Sequence, residues 1–150
     1  MSKKSLGGKD FDTMIGDKMV HVIEANVKIT DGRKVKYTRG VPTGFIDGPV
    51  EAEVTLKLDH ENFLLVEGQA KAAGSWKGIE PFDVSFMAEV SAGTKNVEAF
   101  GVLPQLDEVL GFKAEGGEED TTSIKGIVTS PDFIKINGIP YLTKDEVRDL

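Results

Sequence analysis

The chain has no cysteine and only two histidines among its 150 residues. The first absence excludes disulfides, thiolate metal sites, iron–sulfur clusters and cysteine nucleophiles. The second leaves His21 and His60 as the only side chains whose ordinary pKa lies near neutrality for general-base work. His21 falls within a strand pattern and His60 at a helix start, and both positions have plain structural explanations. No window reaches the roughly 18 to 20 apolar residues of a membrane-spanning helix. The basic opening "MSKKSLGGKDF" has no apolar run behind it, so the expectation is a protein made and kept in a cytoplasm, without membrane contact.

Other chemistry is missing as well. "DHEN" and "GGEED" lack the alternating oxygen-ligand spacing and closing Glu of a calcium loop. "GVPTGFIDG" has the glycines of a phosphate cradle, but no Lys followed by Ser or Thr, and it leads into a strand instead of a helix. Trp76 reads as a packing anchor. The sequence therefore assigns no catalytic residue, no cofactor and no metal site. A net charge of -7 also argues against tight binding to nucleic acid, which needs clustered Lys and Arg to neutralise phosphates. The charge is uneven, with a basic N-terminus (Lys3, Lys4, Lys9), a basic "RKVKYTR" and an acidic "AEGGEED".

What the chain does have is alternation. In "VHVIEANVKI", from Val20 to Ile29, Ile23, Ala25, Val27 and Ile29 share one face of an extended segment, opposite Glu24, Asn26 and Lys28. The Asp-Gly of "TDGR" is a strong hairpin signal and predicts that "KVKYT" returns beside that strand. From Val50 to Leu58, Val50, Ala52, Val54, Leu56 and Leu58 face one way, and Glu51, Glu53, Thr55 and Lys57 the other. Asp59 is placed to cap a helix over His60–Ala73 with Phe63, Val66, Ala70 and Ala73 on one face, closed by Gly74. Phe82 to Val90 and Val97 to Leu103 read as a second hairpin. "TTSIKGIVTS" and "DFIKI" follow as strands, the latter turning at "NG" into "IPYL". Thr143 and Glu146 have capping-box spacing, which predicts a helical turn over about 143–150.

Many short strands around a single helix predict a mainly β fold with one flanking helix, an antiparallel sandwich or barrel, in one domain over 1–150. The segment from Thr38 to Gly48 reads as a long Gly/Pro-punctuated loop. Long loops in compact domains are usually functional, and with no chemistry to carry, this one is left with contact to another chain.

Taken in order, "VPTGFIDG" before an alternating strand, "AGSWKGIEPFDVSF" leaving the helix, and "VTSPDF" and "NGIPYL" near the end are similar to segments of the tail tube proteins of contractile-tailed bacteriophages. The resemblance spans nearly the whole chain. It is to a family of temperate phages related to the P2 group, and extends to the tube protein of the type VI secretion system. It implies two packed antiparallel sheets forming a small sandwich or barrel, and copies that close into hexameric rings and stack as a hollow tube. Partners implied are further copies of the chain, a tail sheath protein, a tape-measure protein, a baseplate initiator and a tail terminator. DNA would pass only transiently. The implied location is the virion tail, assembled in the host bacterial cytoplasm. On that resemblance Thr38, Arg39, Gly40, Val41, Pro42, Thr43, Gly44, Phe45, Ile46, Asp47 and Gly48 would reach a neighbouring subunit. Glu51, Glu53 and Lys57 would face the lumen. A basic N-terminal arm, about 1–10, would order on assembly. The alternatives are a tube subunit of a tail-like particle or type VI-like secretion machine, an enzyme or small-ligand barrel, and a non-enzymatic binding module.

Overall fold

A computed structural model describes residues 12–90, 93–110 and 121–150. The elements run β1 (Asp12–Ile15), β2 (Lys18–Val20), β3 (Glu24–Asp31), β4 (Lys34–Thr38), β5 (Val41–Ile46), β6 (Val50–Asp59), α1 (His60–Ala73), β7 (Phe82–Val90), β8 (Gly93–Leu106), β9 (Thr121–Val128), β10 (Ile134–Ile136) and β11 (Ile139–Pro140). The acidic segment 114–120 and the arm 1–10 lie outside the described residues.

The alternation of β6 places its apolar residues inward. Ala52, Val54, Leu56 and Leu58 are buried, and Glu51 and Glu53 are exposed. The strand sits inside a sheet of order β2-β1-β7-β8-β9-β6-β3, with β10 added to β8 and β11 to β10. Its described pairings are antiparallel. The sheet curls because β8 changes partners along its length. Val97–Ala99 pair with β10, and Val102–Leu106 pair with β9. The bend falls at Gly101, φ 61°, where a Cβ would press into Ser130. There the Gly101 N–H donates to Asp83 Oδ1 at 3.0 Å and its carbonyl accepts from the Thr129 hydroxyl at 2.6 Å. Glycine adopts that conformation without steric cost.

The curled sheet and α1 enclose one apolar cluster that includes Ile15, Val54, Leu58, Val66, Val84, Ala99 and Ile134. The helix begins where Asp59 accepts the Asn62 N–H at 2.9 Å, and ends where Gly74, at φ 86°, donates to Lys71 O. Val66 and Ala70 are its buried residues, while Phe63 is half-buried and stacks on Trp76 with ring centroids 5.1 Å apart. Trp76 thus anchors the segment that leaves the helix. Among the described strands the sheet does not close on itself, and β2 and β3 are the free ends of its main path, with β11 a third edge on the β10 branch.

Three local expectations change, and one element was not expected. The Val20–Ile29 segment is not continuous, because β2 ends at Val20 and β3 starts at Glu24. His21 lies in that break, its N–H donating to Asn62 Oδ1 at 3.0 Å. The β1–β2 hairpin, whose turn uses Gly16 at φ 62°, is the unexpected element. "KVKYT" does not return beside β3. That place is taken by β6, with Val27 opposite Val54. Finally, the segment 38–48 is not a loop but carries most of a second hairpin, described next.

Candidate functional site

Strands β4 and β5 form a separate two-stranded sheet, paired from Lys34 opposite Ile46 to Thr38 opposite Val41. The chain reverses at Arg39 and Gly40, with φ 53° and 77°. Two successive left-handed residues give the turn whose twist matches a hairpin. Between Lys36 and Tyr37 the register slips, so Thr43 bulges out, and its hydroxyl meets that of Thr38 at 3.0 Å. A bulge beside an edge strand is where Pro42 can be tolerated.

All residues of both strands are exposed. They include Val35, Tyr37, Val41, Phe45 and Ile46, each at least 50 % exposed. An isolated two-stranded hairpin is marginal in water, and this one shows an apolar surface that nothing among the described residues covers. It also carries Arg33, Lys34, Lys36 and Arg39 against one acid, Asp47, on a chain whose net charge is -7.

The hairpin continues the β3–β6 ladder across a neck. The last β3–β6 pair is Asp31 with Val50, and the first pair of the arm is Lys34 with Ile46. Between them Gly32 crosses against Gly48 and Pro49 so closely that a Cβ on either glycine would collide with backbone. Asp31 Oδ2 accepts from Arg33 Nε at 2.9 Å and from Tyr141 Oη at 2.6 Å, and Oδ1 accepts the Arg33 N–H at 3.0 Å. The Tyr141 hydroxyl first, then the Arg33 backbone and guanidinium, hold the Asp31 carboxyl down at about 2. Reciprocally, the Tyr141 phenol and the Arg33 guanidinium are pushed up by Asp31.

Glu51, Glu53 and Lys57 lie on the outer face of β6, opposite the core. The register adds neighbours that a single strand could not reveal. Lys28 stands opposite Glu53 and Glu24 opposite Lys57 on β3. From β9, Lys125 Nζ reaches Glu53 Oε1 at 3.8 Å. The face is therefore not acidic but mixed, with Glu24, Glu51 and Glu53 set among Lys28, Lys57 and Lys125.

A cleft of about 760 Å³ opens beside the free β3 edge, lined by Thr13, Ile23, Ala25, Val27, Phe86 and Val97 among others. Among the described residues no group of three or more His, Asp or Glu could hold a metal ion, and no helix is long and apolar enough to cross a membrane.

A curled, open antiparallel sheet with one capped helix is the fold of the tube-type proteins of contractile injection systems. The tube-terminating cap of the anti-feeding prophage matches with TM-score 0.69 at 15% identity, covering 91% of this chain and 93% of that one. A chain in the sheath–tube complex of the extracellular contractile injection system PVC matches with TM-score 0.60 at 16% identity, covering 86% of this chain and 88% of that one. The chain itself belongs to the family of bacteriophage HP1 Orf24, whose family model matches residues 9–142. It is 37% identical over 145 residues, 97% of each chain, to a protein of Haemophilus phage HP1 (strain HP1c1) provisionally named as its tail tube protein. The resemblance drawn from the sequence and these comparisons agree.

Proposed function

We propose that this chain is a structural, non-enzymatic subunit of a bacteriophage tail tube. The kinship over 97% of both chains to a protein carrying that name supports the tail assignment. The observation that carries the assembly reading is the β4–β5 arm, exposed along both strands and both apolar and basic. Such a surface fits another copy of the chain, whose body is acidic. Thr38 to Gly48 then act as the tip and return strand of an inter-subunit arm. The free edges β2 and β3 suit lateral, head-to-tail contacts that close a ring and remove the exposed edges at once. Six copies make a ring and rings stack into a hollow tube, with Glu51, Glu53 and Lys57 toward the lumen. The tube lies inside a sheath, is started by a baseplate initiator and ended by a terminator, encloses a tape-measure protein and later passes DNA. The whole assembles in the host cytoplasm. The N-terminal arm, about 1–10, orders on assembly.

Negative-stain electron microscopy of the purified protein tests this reading. Rings or hollow tubes of uniform width are expected, and a variant with residues 33–47 replaced by a short Gly/Ser linker is expected to remain dispersed. Tubes formed equally well by the truncated chain would overturn the role given to the arm.

A further inference from the structure

The arm touches the rest of the molecule through its neck, and the neck has no ladder of its own. The β3–β6 pairing ends at Asp31 and Val50, and the arm's pairing starts at Lys34 and Ile46. Residues 32–33 and 47–49 connect two rigid ladders through a crossing of two glycines. Glycine backbones without ladder hydrogen bonds admit many orientations. A third element must therefore fix the direction of the arm.

That element is the C-terminal segment. Tyr141 comes 110 residues after Asp31, yet its hydroxyl donates to Asp31 Oδ2 at 2.6 Å. The tyrosine is itself held firmly. Its N–H donates to Ile134 O at 2.9 Å, and its ring packs on Phe133 with centroids 5.8 Å apart. Phe133 and Ile134 are both buried in the core. The same Asp31 oxygen receives the guanidinium of Arg33, the first residue beyond the glycine, with Nη2 at 2.8 Å. One carboxylate thus joins the core, through Tyr141, to the first residue of the arm, through Arg33.

We propose that Tyr141 is a positioning residue for assembly: through Asp31 it locks the neck at Gly32 and Gly48 and so sets the angle at which the β4–β5 arm meets a second copy of the chain. This rests on the reading of the arm as an inter-subunit contact. A hydrogen bond from a tyrosine to a carboxylate is directional and charge-assisted. It restrains an orientation even where it adds little to overall stability. An arm aligned before encounter loses less conformational freedom on docking than one that must be ordered then.

The absence of cysteine makes the test clean. Spin labels on Lys36→Cys in the arm and Lys71→Cys on α1 report the arm-to-body distance in the dispersed protein. Tyr141→Phe removes only the hydroxyl and keeps the ring against Phe133, and Asp31→Ala removes the carboxylate that accepts from both Tyr141 and Arg33. A single narrow distance is expected in the parent, a broadened one in both variants, with the melting temperature of Tyr141→Phe close to the parent's. The concentration needed for tube formation should rise about tenfold, the scale of one charge-assisted hydrogen bond lost from a preorganised contact. Unchanged distance distributions in both variants would overturn the lock. Broadened distributions with unchanged assembly would overturn its role in assembly. Should the arm-truncated chain assemble like the parent, the reading of the arm fails and the assembly role of Tyr141 falls with it. The label distances identify that case separately.

Discussion

Lys125 and Glu53 stand on neighbouring antiparallel strands with their charged groups 3.8 Å apart, and Lys28 lies directly opposite the same glutamate on the other side. Both members of the ion pair are nearly half exposed, and such pairs contribute roughly 0 to 1 kcal/mol. Their significance is the field they shape. An outer face with interleaved signs offers DNA no continuous basic track, which suits a surface that a polyanion should pass without binding.

Reversing the acidic members should expose this. The double variant Glu51→Lys, Glu53→Lys leaves Lys28 and Lys125 without the glutamate they face, and Glu24 opposite Lys57 as the one acid of the group. Its unfolding free energy should change by less than about 1 kcal/mol, while its tubes should retain DNA in sedimentation at low salt and release it as salt rises. Tubes that still exclude DNA at low salt would place this face away from the lumen.

The core makes a separate, sharper prediction. Leu58 is 0% exposed, and Leu58→Ala should cost about 2 to 5 kcal/mol by urea denaturation, from lost transfer energy and the cavity left behind. Leu64, 46% exposed on α1, should lose no more than about 0.5 kcal/mol on the same change. Equal effects would contradict the side of α1 that packs inward.

Asp59 accepts both the Asn62 N–H and its Nδ2 at the start of α1, and the first of these holds its carboxyl below the usual range. Asp59→Ala should destabilise the fold by about 1 kcal/mol. A thermal melt within error of the parent would show that the helix start does not depend on the cap.

The neck should respond to pH in a defined direction. The folded carboxyl of Asp31 sits at about 2, below its ordinary value of 3.8. A depressed carboxyl contributes stability in full above the unfolded value, and that contribution is lost as pH falls through the folded value. The difference in melting temperature between the parent and Asp31→Asn should therefore be constant from pH 7 to 5 and shrink between about pH 4 and 2. A difference independent of pH across that window would mean that Asp31 is not held as a charged acceptor.

Where pattern and environment coincide, the fold was legible. The alternation of Val50 to Leu58 could bury only one face, and Asp59 and Gly74 mark a helix whose ends the structure reproduces. The Asn137–Gly138 turn, with φ 52° and 78°, follows directly from its two residues. Legibility ended where distant residues decide. Asp31 and Gly32 look locally like a reversing turn, but the Asp31 carboxylate is engaged by Tyr141 and the strand stays paired with β6. The reversal comes instead at Arg39–Gly40. Pro42 and Gly44 lower the strand propensity of β5, which hid it as a loop. The neighbours of the outer face were hidden too, since Lys28 stands opposite Glu53 and Lys125 reaches it only through strand order, and order is not written in any one segment.

Assembly of the purified chain beside its arm-truncated variant, viewed by negative-stain electron microscopy at equal concentration and with any baseplate initiator supplied to both, tests the central claim most directly. Hollow tubes of uniform width from the intact chain and none from the truncated one are the predicted result. Dispersed monomers from the intact chain under every condition would contradict a self-assembling tube subunit.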